Sequence, residues 1–198
     1  MVHVIITTAN IPDAYEYRKE QYIQSIESCL KFSHLFDSYT ILECVSANEG
    51  YLDRYNTVYS KEGNPYNDKG LNEMNHLRAH LKQSPYPDDL SIIKLSGRYI
   101  VEDAYFFERV LELQDQFDSV FKNDNDVYEG NGYHTFFYYM KKRLFIDVAN
   151  SIEYSNDHNR PIEWDVKDYL MVSEKHIEID RLGIMAYQGT NSEKIFRC

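Results

Sequence analysis

Along the 198-residue chain the spacing of apolar positions changes several times, and each change predicts a new element. Residues 2–7 are a short apolar, β-branched run ending in Thr7-Thr8-Ala9-Asn10, the pattern of a buried strand that opens into a polar loop. Pro12 and Asp13 keep the following loop irregular. Over residues 17–32, Tyr22, Ile23, Ile26 and Leu30 share one helical face. Residues 39–45 read as a second strand, and 46–68 as a long polar loop with no period. Leu71, Met74, Leu77 and Leu81 form a helical stripe that ends at residues 83–87, where two prolines lie. Residues 90–95 predict a third strand, interrupted at Ser96-Gly97-Arg98-Tyr99. A third helix is expected over 104–117 and a polar break over 122–132. Residues 135–152 read as mostly helical on Phe137, Met140, Leu144, Val148 and Ile152. A loop over 155–161 precedes a last helix over about 163–175, and 182–189 reads as extended.

Strands alternating with helices imply βαβ units and a mainly parallel sheet. In such sheets ligands bind beyond the carboxyl ends of the strands. That rule selects residues 7–10, 43–46 and 96–99.

Charge narrows the partners. There are 21 Lys plus Arg against 32 Asp plus Glu, a formal charge of −11, and no basic run of five or more residues. A phosphate backbone is repelled, so no nucleic-acid partner is expected. No apolar run approaches the ~20 residues of a membrane span, and the first residues lack a secretory pattern. Cys29, Cys44 and Cys198 show no C-x-x-C pairing, as expected of reduced thiols in a cytoplasmic protein. One domain over 1–198 is expected, with a nucleotide-sugar half over 1–100 and an acceptor-side half over 101–198.

In so acidic a chain, Lys94-Leu95-Ser96-Gly97-Arg98-Tyr99 stands out: two cations four residues apart at the end of a buried strand. A buried cation needs an anion. The partner is either an internal Asp or Glu or a bound diphosphate. For a diphosphate, Arg98 offers a planar fork, Lys94 a point charge and Gly97 a close backbone approach. Asn67-Asp68-Lys69-Gly70 opens a helix whose free N–H groups favour anions, although Asp68 reads first as an N-cap and Glu73 as a capping partner. Arg18 reads as solvated unless the fold turns it to the sheet top. Glu43 either meets a base or ribose or faces solvent. The one D-x-D, Asp124-Asn125-Asp126, lies in a turn-prone polar segment. Glu153, Asp157 and Glu163, near the single Trp164, supply carboxylates for acid–base work. Residues 136–139 read as core. No zinc pattern, G-x-S-x-G, Walker loop or G-x-G-x-x-G is present.

Three blocks resemble small bacterial and large-virus glycosyltransferase-like proteins with a GT-A type nucleotide-sugar domain. They are residues 5–26 (I-I-T-T-A-N…Y-R-K-E-Q-Y-I-Q-S-I), residues 39–44 with 67–73 (Y-T-I-L-E-C…N-D-K-G-L-N-E), and residues 92–99 (I-I-K-L-S-G-R-Y). The last is similar to a K-x-[ST]-G-R-Y signature, and residues 182–190 are a weaker echo of a C-terminal segment. The resemblance covers the first half well and residues 104–181 only in pattern. It implies an α/β, GT-A-like three-layer sandwich with a mainly parallel central sheet. It also implies transfer of a sugar from a nucleotide-diphosphate donor, a UDP-sugar, to a glycan or other hydroxyl acceptor.

Carried over by position, Thr7, Thr8 and Arg18 would line the nucleotide pocket and Glu43 would meet the base or ribose. Asn67, Lys69 and Gly70 would lie by the sugar-phosphate, and Lys94, Gly97, Arg98 and Tyr99 at its far end. Glu153, then Asp157, would be the acceptor's base. Where GT-A enzymes place a metal-holding D-x-D, this chain reads S-G-R-Y. The cofactor is therefore either Mn2+ or Mg2+, or none, with Arg98, Lys94 and Lys69 in the metal's place. The alternative is a non-catalytic nucleotide-sugar- or glycan-binding module on the same fold. A nucleotidyltransferase is disfavoured because residues 7–17 contain no glycine.

Overall fold

The computed structural model describes residues 1–123, 132–187 and 195–198. The elements in order are β1 (Val2–Thr8), α1 (Tyr15–Leu30), β2 (Ser38–Glu43), β3 (Thr57–Tyr59), α2 (Lys69–Gln83), β4 (Ser91–Ser96) and β5 (Tyr99–Val101), then α3 (Tyr105–Leu113), β6 (Ser119–Lys122), β7 (Phe137–Lys141), α4 (Lys142–Ser151), α5 (Ile162–Leu170), β8 (His176–Ile179), β9 (Ile184–Tyr187) and β10 (Ile195–Arg197). A seven-stranded sheet has the order β3-β2-β1-β4-β7-β6-β8, and β10-β9-β5 form a small second sheet. Within the large sheet only β7 runs against the others.

Helices cover both faces. Val2, Val4, Ile6, Ile93 and Leu95 pack toward α1 and α3, against Ile26, Phe106, Phe107 and Val110. Ile5, Leu42 and Ile92 face α2, α4 and α5, against Leu71, Met74, Leu77, Phe145 and Val166. Each fully buried aliphatic or aromatic side chain contributes roughly 1.5–3 kcal/mol. With apolar groups needed on both faces, the central strands lose polar alternation and read as continuous runs.

The register places the site. Thr7 lies opposite both Leu42 and Ser96, and Thr8 lies opposite Glu43. The carboxyl ends of β1, β2 and β4 therefore finish at one level.

The structure departs from the sequence reading in the second half. The helix expected over 135–152 begins only at Lys142; Phe137–Lys141 is the antiparallel strand. The run F-Y-Y-M-K is buried on both faces, Phe137 and Tyr139 on one and Tyr138 and Met140 on the other. Such a run carries no period that separates helix from strand. β6 and β8 have only four residues each, too few to show a period. β3 interrupts the expected 46–68 loop. Asp124-Asn125-Asp126 and residues 188–190 lie outside the described residues. Among those described, no helix is long and apolar enough to cross a membrane.

Candidate functional site

The end of β1 is pinned before any ligand arrives. Glu43 is fully buried. Its Oε2 accepts from the Thr8 hydroxyl at 2.6 Å and the Asn10 amide at 2.7 Å. Its Oε1 accepts from the backbone N–H groups of Asn10, Val45 and Ser46 at 3.0–3.1 Å. A carboxylate with five donors has no capacity left for a base or ribose, and it does not face solvent. Glu43 instead ties the loop after β1 to the loop after β2. The Tyr22 hydroxyl adds a second tie, accepting from Ala9 N–H at 3.1 Å and donating to Ala9 C=O at 2.9 Å.

A second buried network lies between β1, β4 and α2. Lys94 is 1% exposed, and its ammonium donates to Glu73 at 2.9 Å, to the Thr135 carbonyl at 2.8 Å and to the Ser96 hydroxyl at 2.5 Å. All three N–H groups are used. Glu73 also accepts from Thr7 and Ser96 hydroxyls. Burial pushes the Glu73 carboxyl up, but the Lys94 charge and these hydrogen bonds outweigh it and hold it below the usual range. Lys94 is thus neutralised inside the protein and is not placed to clamp a diphosphate. Glu73 is its partner, not a helix cap.

Arg98 differs. It follows β4 and Gly97 and is exposed. Its neighbour across the sheet top is Arg18, in the first turn of α1 and 8% exposed. Arg18 rests against the Tyr22 hydroxyl one turn on. Burial, followed by the nearby Arg98 charge, lowers its pKa. The buried Arg18 Nε has no hydrogen-bond partner. Among the described residues neither arginine forms an ion pair. Two like charges brought together without an anion repel, and a buried donor left unpaired is costly. A bidentate anion such as a phosphate group would offset the repulsion between the two guanidinium charges.

The remaining expected site residues divide. Gly97 is needed for packing: a Cβ there would lie 2.7 Å from the Thr7 carbonyl and 2.9 Å from the Tyr22 ring. Its N–H donates to that same carbonyl. Gly70 likewise admits Ile162 of α5, which a Cβ would meet at 2.7 Å. Asp68 is the N-cap of α2, accepting from Leu71 N–H at 2.9 Å, so a carboxylate already holds that helix end. Asn67 N–H donates to Asn156 at 2.8 Å, and Lys69 is exposed beside them. Tyr99 stacks on Phe136 with centroids 4.2 Å apart, and burial pushes its hydroxyl up to about 12.

The carboxylates of the late loop also divide. Glu153 and Asp157 are exposed and line a cavity of about 510 Å³ between α4 and α5, not the sheet top. Glu163 turns inward from the start of α5 and accepts from the Thr135 hydroxyl at 2.9 Å. Thr135 is the residue whose carbonyl holds Lys94. Burial pushes the Glu163 carboxyl up, and the Thr135 bond only partly offsets this.

Among the described residues no three His, Cys, Asp or Glu side chains gather as a metal set. After β4 the chain offers Ser96-Gly97-Arg98-Tyr99, and Glu73, packed on it, is tied to Lys94. These donors do not fit a divalent cation.

No protein-family model matches the chain, and no curated protein matches it in sequence. Solved structures do match in fold. A protein of Desulfovibrio desulfuricans G20 assigned to the nucleotide-diphospho-sugar transferases superposes with a TM-score of 0.60 at 8% identity, over 90% of this chain and 79% of that one. A Bacillus anthracis protein assigned as a glucose-1-phosphate thymidylyltransferase gives 0.62 at 9%, over 94% and 89%. A glycosyltransferase involved in glycosylating the major capsid of PBCV-1 gives 0.55 at 9%, over 90% and 82%. The chain has the α/β, GT-A-like fold shared by nucleotide-diphospho-sugar transferases, with its mostly parallel central sheet.

Proposed function

We propose that the protein transfers a sugar from a nucleotide-diphosphate donor, a UDP-sugar, to a hydroxyl acceptor on a glycan or other molecule. The observation that supports this most is the Arg18–Arg98 pair at the sheet top, without a carboxylate partner among the described residues. In the transfer, the bond from the sugar's anomeric carbon to the diphosphate breaks and negative charge builds on the leaving oxygen. Fixed guanidinium groups aimed at that charge stabilise the transition state more than the ground state. The Glu43 and Tyr22 ties hold the β1 loop in place beforehand, so little ordering is left for binding. Glu163 is the carboxylate best placed to take the acceptor's proton, and its raised pKa makes it a stronger base than an exposed glutamate. Glu153 and Asp157 are set aside for this role because they line the cavity beside α5.

Thermal unfolding with a panel of nucleotides and nucleotide sugars, each with and without Mn2+, tests the reading. The expected result is selective stabilisation by one nucleoside diphosphate, retained in excess chelator and lost in Arg18→Ala and Arg98→Ala. No stabilisation by any nucleotide diphosphate overturns it. Stabilisation that vanishes with chelator and returns with Mn2+ overturns the cation-only version.

A second reading, binding without transfer, draws on one observation: Lys94 is already neutralised by Glu73, leaving fewer cations to assist departure. Slow hydrolysis of the stabilising UDP-sugar by purified protein supports transfer. Tight binding with no hydrolysis supports the module.

A further inference from the structure

The loop carboxylates that do not reach the sheet top surround the 510 Å³ cavity between the end of α4 and α5. Its volume lies within the range of small-ligand sites, roughly 300–1,000 Å³. Its wall is a row of charged and polar groups in close approach, although His158 Nε2, Asp165 Oδ2 and Arg160 Nε lack hydrogen-bond geometry. His158, 6% exposed in its side chain, places Nε2 2.9 Å from Asp165 Oδ2. Asp165 Oδ1 lies 2.9 Å from Arg160 Nε, and Arg160 Nη2 donates to Asp168 at 2.6 Å. The guanidinium sits over the Trp164 ring, 5.8 Å from its centroid. Burial pushes the Asp165 carboxyl up, with Arg160 and His158 opposing. Ile152 and the half-buried Tyr169 supply an apolar side. At the mouth, the Asn159 amide and the Asp157 carboxylate have no hydrogen-bond partner among the described residues.

We propose that this cavity binds a neutral carbohydrate. Four carboxylates against one arginine repel an anion, so a nucleotide does not belong here. Asp165 and Asp168 are already spent on Arg160, and no metal set is present among the described residues, which removes the case for a compact cation. What remains is a hydroxyl-rich, uncharged ligand. Carboxylates accept from hydroxyls, while guanidinium and amide groups donate to them, and a ring and an aliphatic side chain cover a C–H face.

The position gives the site a use that rests on the transfer reading. α5 carries Glu163 on the side facing the sheet top and Asp165, two residues on, on the cavity side. Loop 153–161 is joined to the start of α2 through Asn156 and Asn67. A saccharide held in the cavity would be a remote unit of the acceptor, with the reacting hydroxyl across α5.

The single tryptophan supplies the readout, because Trp164 lies under Arg160. Purified protein is titrated with glucose, galactose, N-acetylglucosamine, lactose, cellobiose and maltose while Trp164 fluorescence is followed. At least one should give a saturable change at millimolar concentration. Asn159→Ala, a surface substitution, should weaken it ~3–10-fold, the value of one neutral hydrogen bond. Arg160→Ala should weaken it more than ~10-fold, as expected for a charged donor. UDP stabilisation measured beside it should stay unchanged in Asn159→Ala. No saturation with any sugar, or an unchanged response in both variants, overturns the proposal. So does a response to spermidine in place of sugar. Sugar binding without nucleotide binding would sink the transfer reading and leave this site standing; the reverse result would sink this site alone.

Discussion

Two cations of one short segment meet opposite fates. Lys94 lies inside β4 and is enclosed by Glu73, Ser96 and Thr135; Arg98, four residues on, stands in the open beside Arg18. The difference lies in what completes each charge. For Lys94 the protein supplies the anion and every hydrogen bond. For the arginine pair it supplies no anion among the described residues, and it leaves Arg18 Nε without an acceptor. A structural cation is closed before ligand arrives, and a binding cation is finished only by ligand. Substitutions at the two positions should therefore fail in different assays.

The largest expected effect is on stability. Lys94→Met leaves Glu73 charged against the sheet and removes three hydrogen bonds. Breaking one partner of a buried pair costs about 3–5 kcal/mol. The 30% exposure of the Glu73 side chain puts the cost near the low end. Adding Glu73→Gln to Lys94→Met should restore part of the loss, a coupling that urea unfolding of the singles and the double measures. Equal losses in single and double would mean that the pair is not the closed unit described.

Arg98→Ala tests the open half. Removing one charge-assisted contact to the leaving group should cost about 2–4 kcal/mol of transition-state stabilisation, ~10²-fold or more in turnover. Arg98→Lys should rescue it only in part, because an ammonium lacks the planar fork. The unfolding midpoint should stay within the range of a surface substitution, about ±0.5 kcal/mol. A large stability loss in Arg98→Ala would erase the contrast with Lys94.

The sequence revealed the site's level more clearly than its chemistry. Strands 2–7, 39–45 and 90–95, separated by two amphipathic helices, were sufficient to place Thr7, Glu43 and Ser96 at one end of a parallel sheet. β7 was illegible because Phe137–Met140 is apolar on both faces. Lys94 and Arg98 looked alike because the partner that separates them sits on α2, 21 positions away. A signal did exist: Glu73 shares a helical face with Leu77, so an acid was already turned toward the sheet that buries Lys94. Glu163 was similarly marked, sharing a helical face with Val166 and Leu170 three and seven positions on. Its advantage over Glu153 and Asp157 depends on Thr135, a contact that no local spacing encodes.

The opposite end of the large sheet extends the comparison to pH. His3 is 1% exposed and hydrogen-bonded to Ser38 at 2.7 Å and Thr40 at 3.1 Å. Burial, with the nearby His80, lowers its pKa from 6.5 to about 4. Unlike Lys94, it has no carboxylate partner among the described residues and stays neutral. The unfolded chain takes up a proton near pH 6.5, and the folded chain only near pH 4. Between those values the unfolded state binds more protons, so stability falls as pH falls; above 6.5 the term is flat. Between pH 7 and 5 the loss from His3 is about 2 kcal/mol. Urea unfolding of wild type and His3→Gln across that range should show a shallower slope in the variant. Parallel slopes would place the acid sensitivity elsewhere.

The smallest effect separates the arginine pair from the other anion site that the sequence offered, the start of α2. There Asp68 already accepts from Leu71 N–H, Gly70 is filled against Ile162, and Asn67 N–H is held by Asn156. A helix end capped by its own carboxylate resembles Lys94 more than Arg98, because the protein has completed it. Asp68→Ala should cost ~1 kcal/mol, the usual value of an N-cap. It also removes a negative charge near Glu163, one of the groups that raise that carboxyl's pKa. The acid limb of any transfer activity should then move to lower pH, while UDP stabilisation stays the same. If Asp68→Ala instead tightened UDP binding, the freed N–H groups of α2 would be taking phosphate. The diphosphate would then have to be shared between that helix and the arginines.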